Sequence, residues 1–118
     1  MKERGIVLIS TFSDERAVRD LAQKVLNARL CACVNYMKIQ SMYSWKGKRE
    51  DHEEYLALFK TTNASATELK KAIEKHHPYE VPEIIELGVK DLAKPYLSWL
   101  MAETSAKRVA KNRYNSSK

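Results

Sequence analysis

The sequence predicts an α+β fold: a four-stranded antiparallel sheet with two helices on one face and an additional helix at the C-terminus. The first observation is the order of hydrophobic periods along the 118 residues, which change between strand and helix as β-α-β-β-α-β-α. The second is a turn sequence, Lys46-Gly47-Lys48, that joins the middle two strands into a hairpin. Two β-α-β halves joined through a hairpin form the split arrangement of ferredoxin-like folds.

The first strand and the first helix follow from the N-terminal pattern. An unbroken apolar run opens the segment from Ile6 to Phe12, which is typical of a central strand buried on both faces. Ser13 is placed to cap the next helix, and apolar residues then recur at helical spacing as far as Leu26. We therefore predict a first helix from about Asp14 to Ala28.

The second strand carries a change in hydrophobic parity. Apolar residues occupy the even positions Leu30, Ala32, Val34 and Tyr36, and then the odd positions Met37, Ile39, Tyr43 and Trp45. A strand changes its buried face only through an extra residue or a bend, so we predict a β-bulge near Tyr36 and Met37. The alternative is two separate short strands.

The hairpin leads into a return strand, predicted from about Glu53 to Thr62 and antiparallel to the second strand. Ser65 and Glu68 have the spacing of a capping box, which opens a second helix. Pro78 disfavours helical geometry at the residue before it, so this helix is predicted to end near His76.

The C-terminal part contributes a fourth strand, a third helix and a basic tail. Alternating apolar residues between Ile84 and Val89 predict the strand, and Pro95 is well placed in the first turn of the last helix. Residues 1–104 are predicted to form one domain. Residues 105–118 contain five basic residues and no acidic one, and we expect this tail to be frayed or disordered.

The hairpin is predicted to form a long bulged β-ribbon with an exposed apolar face. Its apolar row consists of Met37, Ile39, Tyr43 and Trp45. A small domain has nothing left to cover such a row, and uncovered strands pair readily with another chain. We therefore expect an oligomer.

Composition excludes several classes of protein. No apolar run approaches the roughly 20 residues that span a bilayer, so we expect a soluble, cytosolic protein with no membrane partner. The net charge of +6 lies mostly in the tail, which leaves residues 1–104 at +1, and nucleic-acid binding is not expected. The two cysteines, Cys31 and Cys33, are interpreted as reduced thiols, because the chain is large enough to need no disulfide framework.

Several motifs resemble those of the CutA family. They are Leu30-Cys31-Ala32-Cys33-Val34-Asn35; Tyr43-x-Trp45-x-Gly47-Lys48-x-Glu50 with Lys60-Thr61-Thr62; His77-Pro78-Tyr79-Glu80-Val81-Pro82-Glu83-Ile84; and Tyr96-Leu97-Ser98-Trp99-Leu100. The resemblance spans roughly residues 6 to 101. It implies a ferredoxin-like homotrimer in the cytoplasm, a role in divalent-cation tolerance, copper binding in some members and an architecture like that of the PII signalling proteins. It implies no enzymatic activity, and we identify no catalytic residue.

The candidate metal ligands are the two thiols. Cys33 matches the family's cysteine, and thiolate is a good ligand for Cu(I), so copper is the candidate cofactor. Cys31 is a weaker candidate. The competing interpretation, in which both are small buried hydrophobic residues, is favoured because two thiols alone cannot fill a tetrahedral site. His76 and His77 are adjacent and do not chelate one ion together, and His52 is expected in a polar turn.

A ligand cleft between subunits is the second candidate site. The polar or aromatic members of the matching motifs are Asn35, Trp45, Lys60, Tyr79 and Glu83, which together suit a small anion or metabolite. Lys60 is expected to pair with Glu80 or Glu83 if it is buried. The leading hypothesis is thus a binding or scaffold protein in metal-ion homeostasis. The alternatives are a PII-like metabolite sensor and an acid/base enzyme using His77 with Glu83.

Overall fold

The computed structural model describes residues 2–105 and confirms the predicted order of elements. They are β1 (Gly5–Phe12), α1 (Glu15–Asn27), β2 (Cys33–Trp45), β3 (Lys48–Thr62), α2 (Ala66–His76), β4 (Ile85–Gly88) and α3 (Lys94–Thr104). The predicted basic tail, apart from Ser105, lies outside the described residues. Within residues 2–105, no helix has the length and apolar character needed to cross a membrane.

The four strands form one antiparallel sheet in the order β2-β3-β1-β4. β1 is an interior strand, as predicted: it pairs with β3 from Gly5↔Thr62 to Phe12↔Tyr55, and with β4 from Ile6↔Gly88 to Ile9↔Ile85. β2 and β4 are the sheet edges. The sheet therefore leaves one long edge of 13 residues and one short edge without a partner strand inside the described chain.

The hydrophobic core lies between one face of the sheet and helices α1 and α2. Even-numbered residues of β1 and odd-numbered residues of β3 point to this face because side chains alternate along a strand. Its main members are Ile6, Leu8, Phe12, Val18, Leu21, Val25, Phe59, Leu69 and Ile73. Phe12 and Phe59 are fully buried, with ring centroids 6.4 Å apart.

The opposite face of the sheet, which we call the open face, carries a second set of apolar side chains. It holds Val7, Ile9, Met37, Ile39, Leu56, Leu58, Ile85 and Leu87. Helix α3 reaches one end of it, where the Thr62 and Thr104 hydroxyls lie 3.4 Å apart. Met37, Ile85 and Leu87 remain 57%, 45% and 47% exposed. An apolar surface of this extent is typical of an interface.

The predicted β-bulge is wrong, and so is the alternative of two short strands. β2 and β3 pair in one unbroken register from Cys33↔Lys60 to Trp45↔Lys48. The parity change has another cause. Val34 and Tyr36 pack toward the helices, whereas the hairpin beyond them extends past the end of β1 at Phe12↔Tyr55. Helical cover ends there, so the odd-numbered apolar residues simply continue the open face.

Two predicted helix caps also differ from the structure. Asp14, rather than Ser13, caps α1, and its Oδ1 accepts the Ala17 N–H at 2.8 Å. The capping box at α2 is absent, because the Ser65 hydroxyl donates to the Thr104 carbonyl at 3.0 Å instead of capping its own helix. Ser65 thus ties the start of α2 to the end of α3.

The hairpin extends well beyond the sheet and ends in a tight turn. We call residues 39–54 the ribbon; it contributes to a molecule measuring 55 × 30 × 21 Å. Lys46 and Gly47 have φ of 50° and 81°, and the strands pair directly on either side of them at Trp45↔Lys48. Two consecutive positive φ angles are typical of the type I′ turn, which matches the twist of the flanking strands.

Gly47→Ala is expected to lower the free energy of unfolding by about 1 kcal/mol, because an L side chain is strained at this φ. A Cβ at Gly47 meets no atom within 4 Å, so the backbone alone accounts for the cost. Gly88→Ala is the matched control, since its Cβ also meets nothing within 4 Å and its φ is not positive. Equal effects of the two changes in urea denaturation would contradict the assignment of strain to Gly47.

Candidate functional site

A cleft of about 910 Å³ lies between the ribbon and the segment 78–83 that follows α2. The ribbon contributes Gln40, Ser41, Met42, Tyr43, Trp45, His52 and Glu54. The other wall consists of Thr11, Ser13, Pro78, Tyr79, Glu80, Val81, Pro82 and Glu83. Aromatic, apolar and carboxylate groups therefore face one another across it.

His77 fixes the start of the segment that forms one wall. Pro78 prevents helical geometry at His77, whose φ of −73° and ψ of 137° are extended. The imidazole stacks on Phe12 with centroids 4.4 Å apart and accepts the Tyr79 N–H on Nδ1 at 3.1 Å. Nε2 therefore carries the proton and donates to the Thr11 carbonyl at 2.9 Å. Both ring nitrogens are engaged by the backbone, so His77 has none free for acid/base chemistry.

Acidification is expected to destabilise the protein through His77. Burial is the main cause that lowers the pKa of His77 below its ordinary value, outweighing the Thr11 carbonyl and Glu54. The unfolded chain binds a proton more readily, so this contribution to stability is complete above about pH 6.5 and is lost as pH falls through the folded pKa.

The measurement is the urea midpoint between pH 7.5 and pH 5 for the wild type and for His77→Gln, in which the amide keeps a donor and an acceptor. The variant is expected to have a flatter pH profile. His76→Gln is the control, because it makes the same substitution at the exposed neighbouring position. A flat wild-type profile would contradict the prediction.

Tyr79 reaches across the cleft to a buried carboxylate on the ribbon. Its hydroxyl donates to Glu54 Oε2 at 2.6 Å, and Glu54 is only 4% exposed. Burial and the hydrogen bond to Glu54 both raise the pKa of Tyr79 well above its ordinary value. The phenol therefore stays protonated near neutral pH and holds the two walls together as a hydrogen-bond donor.

A second phenol on the ribbon is paired with a histidine. His52 Nδ1 lies 3.0 Å from the Glu53 carbonyl, to which it donates, and its Nε2 accepts the Tyr43 hydroxyl at 2.6 Å. Burial, followed by the charges of Glu54 and Glu50, raises the pKa of Tyr43. His52 was expected in a polar turn, and this is wrong. It lies within β3, opposite Ser41, because the strand begins at Lys48 rather than near Glu53.

The lining of the cleft is acidic. It contains three carboxylates, Glu54, Glu80 and Glu83, and no lysine or arginine. Lys46 lies at the rim, with its Nζ 4.0 Å from Glu80 Oε2 and 5.5 Å from the centroid of the Trp45 ring. These charges attract a cation and disfavour the small anion that the sequence suggested.

The structure brings three of the five predicted cleft residues together. Trp45, Tyr79 and Glu83 line the cleft, whereas Asn35 and Lys60 lie at the other end of the β2–β3 pair, beside Cys33. Within residues 2–105, Lys60 forms no ion pair, and the expected partner Glu80 pairs with Lys46 instead. The anion hypothesis depended on Lys60.

The sequence reasoning missed Glu54, which is central to the cleft. Glu54 pairs in register with Ile39 and continues the even-numbered row of Leu56 and Leu58 along β3. An acidic residue in line with an apolar row is the signal that would have indicated it.

The two thiols lie away from the cleft and are both free. Cys31 is 1% exposed, and burial raises its pKa to about 12, which disfavours the thiolate. Cys33 is partly exposed at the start of β2, and its Sγ–H donates to Asn35 Oδ1 at 3.5 Å. In the part of the chain that the structure describes, no three His, Cys, Asp or Glu residues are grouped to hold a metal ion.

Comparison with known protein families places residues 6–103 in one family, described as CutA1 divalent ion tolerance protein. Among curated proteins, the divalent-cation tolerance protein CutA of Thermotoga maritima is 40% identical over 95 residues, which cover 80% of this chain and 94% of that protein.

Solved structures give the same result for the fold. The crystal structure of CutA1 from Pyrococcus horikoshii matches with a TM-score of 0.82 and 37% identity, over 85% of this chain and 98% of that one. A structure from Archaeoglobus fulgidus, described as a periplasmic divalent cation tolerance protein CutA, matches with a TM-score of 0.83 and 25% identity, over 86% and 99%. These chains share the α+β architecture described above.

Proposed function

Because the chain belongs to the CutA1 divalent ion tolerance family, we propose that it is a homotrimeric, non-enzymatic protein that supports divalent-cation tolerance in a binding or scaffold role. The observation that carries the trimer is the open face, whose apolar side chains α1 and α2 leave uncovered. The non-enzymatic role is supported by the cleft, where the phenols of Tyr43 and Tyr79 and both nitrogens of His77 are committed to internal hydrogen bonds.

The sheet edges support a closed ring of subunits. The strand order, read as β4-β1-β3-β2 and antiparallel throughout, supports a ferredoxin-like topology with β2 and β4 at its two edges. Pairing of one subunit's β2 edge with the next subunit's β4 edge is head-to-tail, and such contacts form a closed ring when three successive rotations complete a full turn. The ribbon row of Met37, Ile39, Tyr43 and Trp45 would then lie at the boundary with the neighbouring subunit, and the cleft, which Tyr43 and Trp45 also line, would open at that boundary.

Size-exclusion chromatography with light scattering tests the trimer. The expected mass at micromolar concentration is about three times the 13.6 kDa of one chain. A mass of one chain would overturn the proposal, because the open face would then be stable in water.

Cys33 is the ligand that we propose for copper, in a site shared between subunits. A shared site is needed because one subunit offers no group of three ligands among residues 2–105. Cys33 is partly exposed and Cys31 is buried with a raised pKa, so Cys33 is the better supported of the two.

Cys33→Ser is expected to weaken Cu(I) binding by the reduced protein at least tenfold, measured in competition with a weak chelator. Cys31→Ala is the control and is expected to retain most of the binding. Equal binding by the wild type and Cys33→Ser would remove Cys33 as a ligand and leave the scaffold role intact.

We further propose a cytoplasmic location, which the two free thiols support, because reducing compartments keep thiols reduced. Cell fractionation with an antibody tests it, and recovery in a periplasmic fraction would overturn it. The alternative of a PII-like metabolite sensor has no support from the comparisons.

A further inference from the structure

We propose that the cleft between the ribbon and residues 78–83 binds an organic ammonium ion, such as an alkyl diamine. This inference rests on the binding role proposed above and assigns a ligand class to the cleft. Three observations support it: a buried carboxylate, the aromatic side chains beside it, and a lysine of this chain whose ammonium group lies near both an aromatic ring and a carboxylate.

The buried carboxylate is Glu54. Among residues 2–105, it accepts one hydrogen bond, from Tyr79, and it forms no ion pair. A buried carboxylate without a cationic partner is costly, and the Tyr79 hydroxyl offsets only part of that cost. Glu80 and Glu83 add negative charge to the same cleft, which has no lysine or arginine in its lining. A cation entering the cleft supplies the missing partner.

The aromatic side chains favour an organic cation. Tyr43, Trp45 and Tyr79 line the cleft, and ammonium groups are attracted to the faces of such rings. Both phenols donate their protons to internal acceptors, so they present rings rather than metal-binding oxygens. A cavity of about 910 Å³ also suits a small molecule better than a single ion.

Lys46 provides an example, within this chain, of an ammonium group beside an aromatic ring and a carboxylate of the cleft. Its ammonium group lies 5.5 Å from the Trp45 ring centroid and 4.0 Å from Glu80 Oε2 on an exposed surface, so a ring and a carboxylate flank one primary ammonium at the rim. Because it contacts two lining residues, Lys46 competes with an incoming ammonium ligand. Removal of its charge should therefore tighten binding.

Calorimetric titration of the full-length protein with 1,4-diaminobutane at low salt tests the proposal. The expected result is saturable binding of one diamine per chain. Glu54→Gln is expected to weaken it at least tenfold, and Trp45→Leu severalfold. Glu74→Gln is the matched control, since it removes one exposed carboxylate from α2, outside the cleft, and is expected to change the affinity less than twofold.

Lys46→Asn gives the sharpest result, because it is expected to tighten diamine binding severalfold. Asparagine tolerates the positive φ at this turn position, so the change removes the charge without straining the hairpin. If Glu54→Gln does not fold, Glu83→Gln at the exposed side of the cleft replaces it, with an expected loss of at least threefold.

Three outcomes would overturn the inference: no saturable binding, an equal loss in Glu54→Gln and Glu74→Gln, or full displacement of the diamine by equimolar Mg²⁺. Light scattering on the same samples separates this result from the proposed function. A trimer without diamine binding overturns the ligand class alone, whereas a monomer overturns the trimeric proposal.

Discussion

Phe12→Ala is expected to lower the free energy of unfolding by about 3 to 5 kcal/mol, the usual range for removing a fully buried phenylalanine. Phe12 is 0% exposed and packs against Phe59 in the core and against the imidazole of His77. The alanine leaves a cavity where the core meets the wall of the cleft, so the cleft segment is expected to lose its anchor as well.

Urea denaturation at one fixed protein concentration measures the effect, because subunit association adds to the apparent stability of an oligomer. Phe12→Leu serves as the control: it keeps most of the apolar volume and is expected to cost clearly less. A loss below about 1 kcal/mol for Phe12→Ala would mean that the site collapses around the cavity, contrary to the packing described.

Leu87→Glu is expected to reduce the mass in light scattering from three chains to one. Leu87 lies on the open face, 47% exposed and paired in register with Val7 of β1. In the isolated subunit the new carboxylate remains exposed to water, so the substitution changes the free energy of unfolding of the subunit only slightly. In the proposed trimer it is buried without a partner, and an unpaired buried charge typically costs several kcal/mol.

Lys75→Glu is the matched control, because it places the same side chain on an exposed position of α2, on the other side of the sheet. Its mass is expected to stay that of the wild type. A trimeric Leu87→Glu protein would show that the open face around Leu87 is not an interface.

The fold was largely predictable because each element carries its own local signal. Periodicity indicated all seven elements, and Pro78 indicated the end of α2 at His76. The prediction of a bulge assumed that every apolar row of a strand is buried within its own subunit. Under that assumption, a change in hydrophobic parity requires the strand to change its buried face. Met37 and Tyr43 belong to a surface that α1 and α2 do not cover, so the parity changed without any change in the strand.

The cleft was predictable only in part. Trp45, Tyr79 and Glu83 belong to motifs whose resemblance to a family singled them out, but nothing local in the sequence indicates that residues 78–83 lie beside the ribbon. Glu54 and His52 were missed because charged and polar residues near a turn usually face water. The role of His52 depends on the length of β3, which begins several residues before the predicted start, whereas Glu54 lies within the predicted strand and its role depends on the contact with Tyr79.

The register of the sheet also has a consequence for the order in which the protein folds. The β2–β3 hairpin joins neighbours in the chain, whereas β1 pairs with β3 across the whole of α1 and the hairpin, from Gly5↔Thr62 onward. Contacts between residues close in sequence form faster than contacts between distant ones, so β2 and β3 can pair in the ribbon before β1 pairs with β3. Its apolar row and its free edge are then exposed in a chain whose core is still open. Refolding yield should consequently depend on dilution, because at that stage a ribbon meets other chains as readily as its own β1.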